Sequence, residues 1–149
     1  MDLQNFSFNR VMIVDDTKID RYIASHIIKK NQFANEIIEF DMATKAIQYL
    51  EENKDHPEKL PDVIFLDINM PEMDGFQFLE RLALLPKSLL QISVIMLSSS
   101  LNAADHERAH NNSLVKKFIN KPLNKSSLEE TKELYLSVKN INGATILRA

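Results

Sequence analysis

The sequence predicts an α/β domain, a doubly wound parallel sheet of five strands with helices on both faces. Three observations lead there. Short apolar runs alternate with amphipathic stretches in the order β-α five times over, and chains built that way form parallel sheets covered on both sides. One run, Val63-Ile64-Phe65-Leu66, is apolar without alternation, as a strand buried on both faces must be. Each central run then stops at a polar residue, and open parallel sheets place their ligand sites at that carboxyl edge.

Val11-Met12-Ile13-Val14 is the first strand and ends in Asp15-Asp16. Thr17 is placed to cap a helix running to about Asn31, with Ile19, Ile23, Ile27 and Ile28 as its apolar stripe. Tyr22 and these isoleucines read as core or helix-contact residues. Glu36 to Phe40 alternates between acids and apolar residues, as an edge strand does. A second helix turns Ala43, Ala46, Ile47 and Leu50 inward, and the polar loop from Asn53 to Pro61 leads into the Val63 strand.

That strand ends at Asp67. Pro71 and Gly75 mark the turn into a third helix carrying Phe76, Phe78, Leu79, Leu82 and Leu85, closed before Pro86. Ile92 to Leu97 is the fourth strand and stops at Ser98-Ser99-Ser100. A short polar helix from about Asn102 to His110 ends at Asn111-Asn112, residues that tolerate a left-handed turn. Lys117 to Asn120 is the fifth strand, ending at Lys121-Pro122. The last helix starts near Ser126 or Ser127 and packs Leu128, Leu134, Tyr135 and Val138.

At 149 residues and 44% hydrophobic, the chain suits one well-cored domain. Eighteen basic against 21 acidic residues, a net charge of −3, argue against nucleic-acid binding as the main task. Cysteine is absent, which removes disulfides and thiolate chemistry and fits a reducing compartment. With no run of membrane-span length and no signal-peptide pattern, a cytoplasmic protein without membrane attachment is the expectation.

In such a sheet one edge collects Asp15, Asp16, Asp67, Ser98 and Lys121. Carboxylates packed together repel, by about 4 kcal/mol for a pair roughly 4 Å apart at an effective dielectric near 20. Hard oxygen ligands call for magnesium, which takes one or two carboxylates plus a phosphate, and Lys121 adds a fixed positive charge. An ionised aspartate is already a nucleophile and forms an aspartyl phosphate. A metal, a lysine and the Ser98 hydroxyl around it are what phosphoryl transfer needs, and no strong base for water is evident on this edge. The phosphorylated state should therefore outlast an enzyme intermediate.

These residues resemble the receiver domain of two-component response regulators. Val14-Asp15-Asp16, Leu66-Asp67-Ile68-Asn69-Met70-Pro71 with Asp74-Gly75, Met96-Leu97-Ser98-Ser99, and Lys121-Pro122 occur in the family's order, each closing a strand. The resemblance covers roughly Arg10 to Asn140, leaving 1–9 as an extension and 141–149 as a tail too short for an output domain. It implies a flavodoxin-like sheet with strand order 2-1-3-4-5.

It further implies that Asp67 is the phosphoacceptor and that Asp16, Asp67 and the Asn69 carbonyl ligate magnesium, with Asp15 acting through water. Ser98 would contact the phosphoryl group, Ser99 leave access to it, and Lys121 pair with its oxygens ahead of a cis proline. Phe118 would be the switch aromatic, lacking the hydroxyl common in relatives. Asn69 and Ser100 would tune dephosphorylation. The implied donor is a sensor histidine kinase or histidine phosphotransfer protein. The implied output runs through helix four, strand five and helix five to a downstream protein or a homodimer. A bacterial origin is implied as well. The chain would be no enzyme beyond self-phosphorylation and slow autodephosphorylation.

The same residues admit competing readings. Alone, Asp15-Asp16 read as a turn and cap, Lys121-Pro122 as an exposed loop and Phe118 as core. His26 and His56 read as solvated. His106-Glu107-Arg108-Ala109-His110 fits the H-E-x-x-H zinc-protease pattern, with Glu129, Glu130 and Glu133 downstream, but the helix is short and polar and coincidence is preferred. A magnesium-dependent phosphatase would carry an acid two residues past its nucleophile, where Asn69 stands. A pseudo-receiver that never uses its acid is disfavoured by the intact acid, hydroxyl and lysine set.

Overall fold

Strand propensity and period decide the layers. In β1 (Phe8–Val14) Val11 and Ile13 point to one face while Met12 and Val14 point to the other, and all four are buried. The computed structural model describes residues 6–141, with side chains to residue 135, so the expected packing of Val138 lies outside the described residues. The other strands are β2 (Ala34–Phe40), β3 (Val63–Leu66), β4 (Ser93–Ser98) and β5 (Val115–Asn120), and every pairing is parallel. Their order is β2-β1-β3-β4-β5, so the expected flavodoxin-like sheet is the observed one. The β4–β5 pairing carries a register shift between Val94 and Ile95, after which Ser98 stands opposite Asn120.

Five helices cover the sheet: α1 (Lys18–Lys30), α2 (Ala43–Glu52), α3 (Gly75–Leu82), α4 (Ala103–His110) and α5 (Lys125–Ile141). Residues of α2, α3 and α4 pack on the Met12, Ile64 and Met96 face. Residues of α1 and α5 pack on the Val11, Phe65 and Ile95 face. The inward residues expected of α2 are all buried, as are Phe76, Phe78, Leu79 and Leu82 of α3.

Helix α1 departs from its expected stripe. Its buried residues are Ala24, Ser25 and Ile28, while Ile19, Tyr22 and Ile23 are 59%, 66% and 36% exposed. The reason is geometric. Residues four apart advance about 40° around a helix, so a stripe through Ile19, Ile23 and Ile27 winds off the face centred on Ala24 and Ile28. Thr17 occupies the N-cap position without a side-chain cap; the Asp15 carboxylate instead accepts the Thr17 backbone N–H at 2.9 Å. Asn111 likewise ends α4 in a right-handed conformation (φ −84), and the left-handed residues outside glycine are Gln32 and Glu72 among those described.

Candidate functional site

β1, β3, β4 and β5 each bring the residue at or just past their carboxyl end to one edge: Asp15, Asp67, Ser98 and Lys121. The backbone N–H of Asp67 still pairs with the Val14 carbonyl at 2.9 Å, extending the β1–β3 ladder and aligning Asp67 with Asp15. On the other side Lys121 N–H donates to the Ser98 carbonyl at 2.9 Å, which carries the β4–β5 ladder up to the lysine. The Lys121-Pro122 peptide bond is cis, as the resemblance implied.

The turn after β3 is held by glycine. Gly75 N–H donates to the Ile68 carbonyl at 2.7 Å, and a Cβ added at Gly75 would stand 2.5 Å from the Asp67 carbonyl oxygen and 3.0 Å from Ile68 Cα. Asp74 caps the following helix in a reciprocal capping box with Gln77, so α3 starts at a fixed point against the Asp67 backbone.

The carboxylates of Asp15, Asp16 and Asp67 bring one oxygen each to within 4.8 Å of one another. Asp15 and Asp67 are buried and Asp16 is exposed. Lys121 Nζ donates to Asp15 Oδ2 at 2.7 Å and lies 3.5 Å from Asp67 Oδ1. It also donates to Asp20 Oδ2 at 2.8 Å. Burial first, then the charge of Asp15, raises the Asp67 carboxyl to about 6, against the pull of Lys121 and the Ile68 N–H. Burial alone would push the Lys121 ammonium down. Its hydrogen bonds to Asp15 and Asp20 and the charge of Asp67 outweigh that and hold it above its ordinary value.

One lysine among four carboxylates leaves the edge short of positive charge. The oxygen-only donor set and its spacing fit a hard divalent cation such as magnesium. Asn69 follows Asp67 on the exposed lip of this edge.

Ser98 is fully buried, and its Oγ accepts the Ser100 N–H at 3.1 Å. Ser99 is exposed and lines a groove with Asp20, Ile23, Lys121 and Pro122. Ser100 Oγ donates to Asp105 Oδ2 at 2.7 Å. Phe118 lies a strand away, half-buried against the α3–α4 core.

Two sets of contacts were not legible in the sequence. Asp20 joins the lysine from the first turn of α1, where an acid otherwise reads as a solvated helix-dipole partner. His106 stacks on Phe118, ring centroids 4.0 Å apart, while its Nε2 sits 3.2 Å from the Ser100 carbonyl. That engagement answers the H-E-x-x-H pattern: among the described residues no cluster of three metal-ligating side chains includes His106 or His110. Among the described residues no helix is long and apolar enough to cross a membrane.

Comparison with known proteins agrees with this geometry. The family model described as the response regulator receiver domain matches residues 11–133. A two-component response regulator of Oryza sativa subsp. indica is 29% identical over 126 residues, covering 83% of this chain and 54% of its own. The crystal structure of a two-component response regulator from Cytophaga hutchinsonii superposes with a TM-score of 0.79 at 28% identity, covering 89% of this chain and 98% of that one. A response regulator receiver protein from Dyadobacter fermentans gives 0.75 at 28% identity, covering 88% and 98%. The chain spans about half the length of the first curated relatives it matches. With five strands in the order β2-β1-β3-β4-β5 and an acidic cluster able to hold a metal at their carboxyl edge, the chain belongs to the response regulator receiver family, the signalling modules of two-component systems.

Proposed function

We propose that this receiver takes a phosphoryl group from a phosphohistidine onto Asp67. The observation that carries the reading is a carboxylate at the end of the central strand with an ammonium 3.5 Å away and two further carboxylates within 4.8 Å. In the transfer, Asp67 attacks phosphorus, an O–P bond forms as the P–N bond breaks, and the imidazole leaves with the electron pair and takes up a proton. Asp16, Asp67 and the Asn69 carbonyl would hold magnesium, with Asp15 reaching it through water. When bound, the ion supplies Lewis-acid neutralisation of the phosphoryl oxygens. Lys121 pairs with one of those oxygens, Ser98 turns its hydroxyl toward another, and Ser99 leaves the approach open.

The donor is a sensor kinase or a phosphotransfer protein. Ile19, Tyr22 and Ile23 form an exposed apolar face on α1, and Ile23 shares its groove with Lys121, so a helix carrying the phosphohistidine can dock beside the acceptor. Phosphorylation adds about −1.5 to −2 charge at pH 7. Ser98 and Lys121 draw toward it, the Ser100–His106–Phe118 contacts loosen, and the α4-β5-α5 surface changes for a protein target or a second copy. Asn69 and Ser100 set how slowly the group is lost.

Incubation with phosphoramidate and magnesium followed by intact mass tests the proposal. One added phosphoryl mass, absent in Asp67→Ala, is expected. No addition would instead make the chain a phosphorylation-independent interaction module, and turnover of many equivalents would make it a phosphatase.

A further inference from the structure

We propose that Asp20 is a positioning residue for this transfer: it holds Lys121 toward α1 while Asp67 is unmodified and surrenders it once Asp67 is phosphorylated. The inference rests on the receiver reading above. An ammonium has three N–H donors. Two go to Asp15 and Asp20, at 2.7 and 2.8 Å, while Asp67 at 3.5 Å is beyond hydrogen-bond length. The lysine that must meet the phosphoryl oxygens is therefore drawn to the wrong side of the site in the unmodified protein.

Which acid yields follows from their surroundings. The Asp15 side chain is 4% exposed, and its other oxygen already accepts the Thr17 N–H. Stripping the lysine from it would strand a buried anion. The Asp20 side chain is 31% exposed and stands in the first turn of α1, where water and the helix N-terminus can replace the lysine. A phosphoryl group also outbids a single carboxylate in charge. Lys121 thus keeps Asp15 and exchanges Asp20 for phosphate. The groove shared by Asp20, Ile23 and Ser99 then gains an unpaired carboxylate. Phosphorylation is in this way felt on α1, on the face of the sheet opposite α4.

The test uses the full chain with magnesium and beryllium fluoride, comparing wild type with Asp20→Asn and Asp20→Glu. The readouts are the Lys121 ammonium 15N resonance and beryllium-fluoride affinity. In wild type the resonance should move on titration. In Asp20→Asn it should begin near that final position, and affinity should rise roughly twofold to fivefold, the range of a partly exposed ion pair. Asp20→Glu should return toward wild type. Unchanged or weaker affinity in Asp20→Asn with an unmoved lysine resonance overturns the proposal while leaving the receiver reading intact. A wild type that does not respond at all overturns both.

Discussion

The imidazole of His106 lies against the ring of Phe118, centroids 4.0 Å apart and planes at 31°. The same imidazole reaches the Ser100 carbonyl at 3.2 Å, and Ser100 N–H donates to Ser98 Oγ at 3.1 Å. Phe118 has no hydroxyl, and the contacts that join it to Ser98 pass through Ser100 and through His106 of α4. His106→Ala should cost about 1 kcal/mol in urea unfolding, as loss of an aromatic pair does. It should also uncouple the Phe118 ring resonances from beryllium-fluoride binding at Asp67. Full propagation to Phe118 in that variant would dismiss the relay.

Gly75 is fixed by close approach. A methyl group there would sit 2.5 Å from the Asp67 carbonyl oxygen, a backbone atom that cannot swing aside. Gly75→Ala should therefore destabilise by about 1–3 kcal/mol, the usual range for overpacking, and slow phosphorylation by displacing Asp67. Denaturant midpoints together with rates from phosphoramidate measure both. A variant of wild-type stability would mean that the β3–α3 turn relaxes easily.

The ionised form of Asp67 is a burden on the metal-free fold. Its carboxyl titrates at about 6 in place against an ordinary 3.8, because burial and Asp15 disfavour the charge. Between those values the folded protein binds a proton that the unfolded chain has lost, so this contribution to stability falls as pH rises through the window. Asp67→Asn should be more stable than wild type at neutral pH by on the order of 2 kcal/mol without magnesium. The advantage should disappear below pH 4. Urea unfolding of both proteins across that range is the check, and a constant difference would assign the effect to something other than titration.

Magnesium should relieve the same strain. A ligand that binds only the folded state stabilises by about 2.7 kcal/mol at a hundredfold excess over its Kd. Magnesium should raise Tm for wild type, and EDTA should reverse it. Asp16→Asn, which removes the exposed member of the cluster, should abolish most of the rise. Equal stabilisation of both proteins would place the ion elsewhere.

The residues that close the strands were legible in the sequence, because a buried parallel strand has few ways to end and all of them meet at one edge. Asp15, Asp67 and Lys121 come together for that reason. Asp20 was not legible, since an acid in the first turn of a helix reads the same whether it faces water or a lysine 101 residues away. Ile19 and Ile23 were placed on an apolar stripe by their four-residue spacing and Tyr22 was read as core or helix contact; their exposure depends on helix phase, which short patterns fix poorly. The His106–Phe118 contact joins α4 to β5 and depends on how the helix docks, which nothing local to either residue encodes.

The account rests on Asp67 itself becoming phosphorylated to an acyl phosphate, and borohydride trapping tests this most directly. An acyl phosphate is reduced by borohydride to the alcohol, so protein phosphorylated with phosphoramidate and magnesium should yield a peptide with homoserine at position 67. Aspartate should remain at positions 15, 16 and 20. Reduction at one of those positions, or none anywhere despite a gain of phosphoryl mass, would contradict the account.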